Sequence, residues 1–183
     1  MNVLDKGEVR ILGAAPSGEE LYKLIYSHYR GHGNPSLLTI GHISLYVRAP
    51  IFVCLYFAQY LKIFPSKNDN RVELYIPSEA EIGAISLEKR KNIQFSIKES
   101  MQTQVSNSQM YSFDGCDTNV SQIVLPVATY ATYIMTGSIK EWLQATNPNQ
   151  AAPNAIEAYK KEVQLLVYSE YSTVIGSVDV EYR

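Results

Sequence analysis

Apolar positions along this 183-residue chain change their spacing several times, and each change marks an element. Val3, Val9 and Ile11 alternate with polar neighbours around Asp5-Lys6-Gly7, the period-two arrangement of a half-buried strand pair. Gly13 to Pro16 predict a break. Ser17 and Glu20 then form a capping box, in which a hydroxyl and a carboxylate each satisfy a free backbone amide. The helix that follows is expected to run to about Arg30, with Leu21, Leu24, Ile25 and His28 as its apolar stripe. Gly31 to Leu38 is a turn by composition. From Thr39 to Arg48 alternation returns, with Ile43, Leu45 and Val47 on one face and His42, Ser44, Tyr46 and Arg48 on the other, predicting a strand with one exposed face.

Pro50 suits the first turn of a helix, where its missing amide costs nothing, and Ile51 to about Ile63 is apolar nearly all round. That helix is expected to be the central buried element. Pro65 to Asn70 reads as a solvated loop, Arg71 to Ile76 as a strand and Pro77 to Ala84 as a capped turn. Ile85 to about Gln104 is a polar surface helix, and Val105 to Asn119, rich in Ser, Asn, Gln and Asp, is a loop. Thr129 to Thr136 alternates as a strand, and Ser138 with Glu141 is a second capping box, opening a short helix through Trp142 and Leu143. Pro153 begins the last helix, whose stripe is Ile156, Tyr159, Val163, Leu166, Val167 and Tyr171; the tail to Arg183 is a short strand or frays. No repeat or long linker divides the chain, so residues 1–183 are expected to form a single domain with a sizeable core.

Composition narrows the possible functions. A formal charge of -2 gives no general attraction to nucleic acid or to an anionic membrane. The longest apolar run, Ala49 to Ala58, is too short to cross a bilayer and the N-terminus lacks a signal peptide's apolar core, so a soluble, cytoplasmic protein is expected. Cys54 and Cys116 form no metal-type cluster, no metal site is expected, and Cys54 is expected to be a small buried hydrophobe. The fourteen tyrosines suit half-buried strand faces and subunit contacts. Ser17 and Ser138 are explained as caps, His28 as an interior residue and His32 as part of a solvated turn. Gly31-x-Gly33 opens no helix and is no dinucleotide fingerprint, and Lys89-Arg90-Lys91 among Glu79, Glu81 and Glu88 is a solvated face.

Several landmarks, in order, resemble the flavin-dependent thymidylate synthases. These are Leu4-Asp5-Lys6-Gly7, then Ala49-Pro50-Ile51-Phe52-Val53, Tyr75-Ile76-Pro77 and Gln122-Ile123-Val124-Leu125-Pro126. Between the second and third, the family carries a loop Arg-His-Arg-x-x-Ser and a later arginine. Here Gln59, Tyr60 and Leu61 stand for Arg-His-Arg, Phe64 stands for the Ser, and Arg71 is the one relic of the later arginine. Leu37 and Leu38 stand where the family has a Glu-His pair at the flavin, and Gln122 stands for an arginine that contacts the nucleotide. Near the last helices, Ser138, Asn149, Ala152 and Pro153 hold the positions of the family's Asn, Arg and Ser-His.

The resemblance implies an α+β fold, an antiparallel sheet packed with helices, assembled as a homotetramer with sites between subunits. Family members use reduced flavin to convert deoxyuridylate to thymidylate, with a carbon from methylenetetrahydrofolate. That chemistry needs arginines for phosphate and donors for the flavin, and Leu61 and Phe64 can donate nothing. The expected function is therefore a non-catalytic homologue, an oligomeric binding protein for a nucleotide-like small molecule or a protein partner, with no cofactor. The alternatives are an active flavin-dependent methyltransferase on deoxyuridylate with a remodelled site, holding FAD, and a structural scaffold subunit. The candidate ligand-binding residues are Tyr60, Lys62, Lys67, Arg71 and Gln122.

Overall fold

A computed structural model describes residues 2–29, 35–66, 72–83 and 85–177. They fall into two compact units, one drawn from Met1–Ala49, Val53–Asn68 and Thr132–Arg183, the other from Pro50–Phe52 and Asp69–Ala131.

The first unit is built on a five-stranded antiparallel sheet: β1 (Asn2–Val3), β2 (Gly7–Ala15), β3 (His42–Pro50), β4 (Lys62–Pro65) and β5 (Tyr130–Ser138), in spatial order β1-β2-β3-β5-β4. The expected strand pair at the N-terminus is present, but Gly13 to Pro16 do not break it. β2 continues to Ala15, because a bulge between Ile11 and Gly13 takes up one residue and restores pairing of Gly13 with Ser44 and Ala15 with His42. Ile43, Leu45 and Val47 are buried, as the alternation required.

Helices α1 (Gly18–Tyr29), α5 (Ile139–Ala145) and α6 (Asn154–Ser177) supply the rest of this core, with α6 packing on α1, α5 and β2. Both capping boxes form: the Glu20 carboxylate accepts from the Ser17 amide at 2.9 Å, and the Glu141 carboxylate from the Ser138 amide at 2.7 Å. Leu21 and Ile25 are buried as expected, whereas Leu24 is exposed. The α6 stripe of Ile156, Tyr159, Val163, Val167 and Tyr171 is buried, while Leu166 is only half-buried. α6 bends at Tyr171 (φ -120°), whose hydroxyl donates to the carbonyls of Pro16 and His42 at 2.9 and 3.0 Å. Two glycines allow close approach: a side-chain carbon on Gly7 would collide with the Tyr159 hydroxyl, and one on Gly18 with the Glu170 carbonyl. Leu37 and Leu38, within a short 3-10 helix at Pro35–Thr39, are buried.

α2 (Ile51–Phe57) is shorter than the sequence predicted. It ends after two turns because Lys62 to Pro65 pair with Tyr133 to Thr136, and a strand's cross-chain bonds outweigh a local helical preference. Nor is it buried all round, since Val53, Cys54 and Phe57 face inward and Leu55 is exposed.

In the second unit the strand expected over Arg71 to Ile76 is reduced to one bridge between Leu74 and Thr129, flanked by Tyr75 N to Ala128 O at 2.9 Å and Tyr130 N to Glu73 O at 2.8 Å. Ser78 and Glu81 form the expected capped turn. α3 (Leu87–Phe113) is longer than predicted and consumes much of the expected loop. Ser, Asn and Gln are only mildly unfavourable in a helix, and nothing stops α3 until Gly115 takes a φ of +85°. It is a surface helix as anticipated, with Ser108 its sole buried residue. α4 (Thr118–Gln122) packs against its end, with Ser112 Oγ donating to Ser121 Oγ at 2.7 Å. No helix among the described residues is long and apolar enough to cross a membrane. The expectations for His32, Gly31-x-Gly33 and the tail beyond Ser177 lie outside the described residues.

Candidate functional site

Register places a set of polar side chains in rows across one face of the sheet. Between β3 and β5, Ile139 N bonds Gly41 O, Ser44 Oγ donates to Thr136 Oγ1 at 3.0 Å, and Ile51 N bonds Thr129 O. This is a constant antiparallel register that sets Tyr46 opposite Ile134. Combined with the pairings of β2 with β3 and of β4 with β5, it gives one row of Gly13, Ser44, Thr136 and Lys62 and a second of Arg10, Tyr46, Ile134 and Phe64. Directly opposite residues share a face, and neighbouring strands lie about 4.8 Å apart, so each row spans about 14 Å.

The second row is aromatic and cationic. Arg10 lies 4.3 Å above the Tyr46 ring centroid and pairs with Glu8 at 3.3 Å. Phe64 is 52% exposed on the edge strand. The first row offers hydroxyls and an ammonium, and Gly13 leaves open space above its backbone. Arg48, one step further along β3, donates from Nη1 to the Lys6 carbonyl at 2.6 Å. These rows present a surface for stacking a flat ring, accepting hydroxyl hydrogen bonds and neutralising an anion.

The end of this face is set by the second capping box. Glu141 has its carboxyl held below the ordinary value of 4.5, first by the Ser138 backbone amide, against burial, with the Ser138 hydroxyl, His42 and Lys62 assisting. A depressed folded value means stability that is present above about pH 4.5 and is lost as pH falls through the folded value. Glu141→Gln should therefore melt below the wild type at neutral pH, and the gap should close on acidification below about pH 4.5; a gap constant from pH 7 to 3 would contradict this.

Of the residues expected from sequence to bind a ligand, Lys62 falls on this face, opposite Thr136. Tyr60 does not: it sits in the turn after α2 and its hydroxyl donates to Gln150 Oε1 at 2.9 Å, making it a strut for the loop before α6. Gln122 ends α4 in the second unit, exposed. Lys67 and Arg71 lie outside the described residues. Arg10, Ser44, Tyr46 and Thr136 share this face with Lys62 and are not singled out by the sequence as ligand-binding candidates. The alternation over His42 to Arg48 announced an outward polar face, but only cross-strand register shows which side chains from β2, β4 and β5 join it.

Burial pushes the Cys54 thiol far above its ordinary value, against a hydrogen bond with Tyr133, whose phenol is itself pushed up to about 12 by burial and by Cys54. Cys54 is buried as expected, and no group of three potential metal ligands occurs among the described residues. In the second unit, Ser96, Ile97, Ser100, Met101 and Gln104 of α3 line an open groove of about 650 Å³ with residues 123–127, and no titratable group lines it.

No family model and no curated protein sequence matches this chain. Among solved structures it is similar to the crystal structure of a UMP/dUMP methylase, PolB, from Streptomyces cacaoi bound with 5-Br UMP. The two share 12% identity and a TM-score of 0.67, over 97% of this chain and 95% of that one. At that identity the likeness establishes the fold, so the chain is an α+β protein with an antiparallel sheet that shares the fold of that methylase.

Proposed function

We propose that this chain is a non-catalytic relative of the flavin-dependent thymidylate synthases that binds a nucleotide-like ligand on the polar face of its sheet. It does so as a homo-oligomer, a tetramer by the resemblance. The observation that carries this reading is the pair of adjacent rows, with the Arg10–Tyr46 stack beside the Ser44–Thr136 hydroxyls and Lys62. A base can lie on the ring of Phe64 or on the Arg10–Tyr46 stack, a sugar can meet the hydroxyls, and Lys62 can meet a phosphate. The solved methylase of similar fold is described with a bound uridine nucleotide, which guides the choice of probe.

The residues present do not fit a flavin. Leu37 and Leu38, where the resemblance places a Glu-His pair, are buried and carry no polar side-chain atom; Leu61 is likewise buried. These residues support the reading without cofactor and without turnover.

The test is a thermal-shift and calorimetric titration with UMP, dUMP and inorganic phosphate. Nucleotide at one hundred times its Kd should add about 2.7 kcal/mol of apparent stability. Arg10→Ala and Tyr46→Ala should each weaken binding about tenfold, the value of about 1.4 kcal/mol, while Tyr60→Phe should leave it unchanged. Failure of every nucleotide to shift the melt removes the binding half of the proposal. Conversion of dUMP to thymidylate with reduced flavin and methylenetetrahydrofolate removes the non-catalytic half.

A further inference from the structure

α3 offers two faces. One lines the groove of the second unit, and the other carries Phe95, Glu99, Gln102, Ser106, Gln109 and Phe113, all exposed. Their spacing is 4-3-4-3-4. At about 100° per residue they fall within an arc of about 80°, separate from the groove-lining arc, and they extend about 27 Å along the axis. Residues spaced 4-3 lie on one face of a helix, and here an exposed Phe closes each end of a polar middle. Phe113 at 92% and Phe95 at 64% exposure are large apolar groups with nothing of their own unit over them.

The seam is also a palindrome about residue 104. In an antiparallel pair of α3 helices related by a two-fold axis there, Phe95 meets the partner copy's Phe113, Glu99 meets Gln109, and Gln102 meets Ser106. Each is an aromatic pair or a donor–acceptor pair. A parallel pair would instead set Glu99 against Glu99, a like-charge contact. From Ser100 to Phe113 the helix has no charged residue, so two copies can approach without the repulsion that a self-facing charged surface would create.

We infer that the outer seam of α3 is a self-association surface, occupied by α3 of a second copy in antiparallel register centred on residue 104. The inference rests on the homo-oligomeric reading above and names the surface one of its two-fold axes uses.

Two experiments on the full-length chain test it. Phe113→Lys should halve the mass measured by sedimentation while circular dichroism stays unchanged, the residue being exposed. In a Cys116→Ser background, which removes the exposed native thiol, Phe95→Cys and Phe113→Cys should each stay uncrosslinked alone under mild oxidation and give covalent dimers when mixed. Dimers from either variant alone would mean parallel or different packing and overturn the inference, as would an oligomer whose mass Phe113→Lys leaves unmoved. Those outcomes leave the oligomeric reading standing, whereas a monomeric wild type would overturn both. Nucleotide titration reports on the sheet-face site independently.

Discussion

Trp142→Ala should lower the free energy of unfolding by about 4 kcal/mol, the largest effect of any single truncation considered, because it empties a fully enclosed site. Trp142 is 0% exposed, its ring centroid lies 6.3 Å from that of Phe57, and its indole Nε1 donates to the Ile43 carbonyl at 3.1 Å across 99 residues of sequence. Truncation leaves a cavity between α5 and the sheet and removes a side-chain donor from that carbonyl, and both terms act in the same direction. For a chain of this size each kcal/mol moves Tm by about 2–4 °C, so a drop of about 8–16 °C is expected in a thermal melt. Trp142→Phe, which keeps most of the ring volume, should lose less than half as much. A fall below about 1 kcal/mol for the alanine variant would mean that this helix does not close the core.

Lys160→Ala should cost about 3 kcal/mol, the second largest effect. Lys160 is a lysine only 2% exposed, and its ammonium donates to the Gln150 carbonyl at 2.7 Å and to Glu157 Oε1 at 2.9 Å, 6.0 Å from the Tyr56 ring centroid. Tyr56 and Tyr60 reach the same loop, donating to the Ala145 carbonyl at 3.2 Å and to Gln150 Oε1 at 2.9 Å. One cation thus ties α6 to the loop that precedes it, while the two phenols tie that loop to the end of α2. Lys160→Met keeps the apolar stem and loses only the charged head. Because Glu157 is 40% exposed and can be rehydrated, this variant should cost about 1 kcal/mol. Equal losses for Ala and Met in chemical denaturation would show that the stem's packing contributes nothing.

Several of these features can be read in the sequence, for reasons particular to each residue. A capping box is a contact over three residues, so Ser17 with Glu20 and Ser138 with Glu141 carry their own partners and were predicted correctly. Ile43, Leu45 and Val47 point inward because a strand's side chains alternate whatever it pairs with. The end of α2 could not be read in this way. Residues 58–63 continue an apolar helical stretch in the sequence, yet the chain turns and Lys62 to Pro65 become an edge strand, since the deciding hydrogen bonds come from Tyr133 to Thr136, some seventy residues away. α3 was underestimated for a different reason. Its polar second half has no local breaker before Gly115, and composition resembling a loop does not by itself end a helix.

The sequence by itself determined the element types wherever the controlling interactions are local: caps, alternation in β3, the proline-led start of α6 and the inward placement of Cys54. It also carried the ordered landmarks that resemble the flavin-dependent thymidylate synthases, and the tertiary structure is similar to that of a UMP/dUMP methylase. Only the tertiary structure decided which residues meet. The order β1-β2-β3-β5-β4 brings Arg10, Tyr46, Ser44, Thr136 and Lys62 onto one face, and it turns Tyr60 toward Gln150. The physical reason is that strand register and sheet order are set by pairings between distant segments, whose free energy depends on burying both partners together and so is not written in either segment alone.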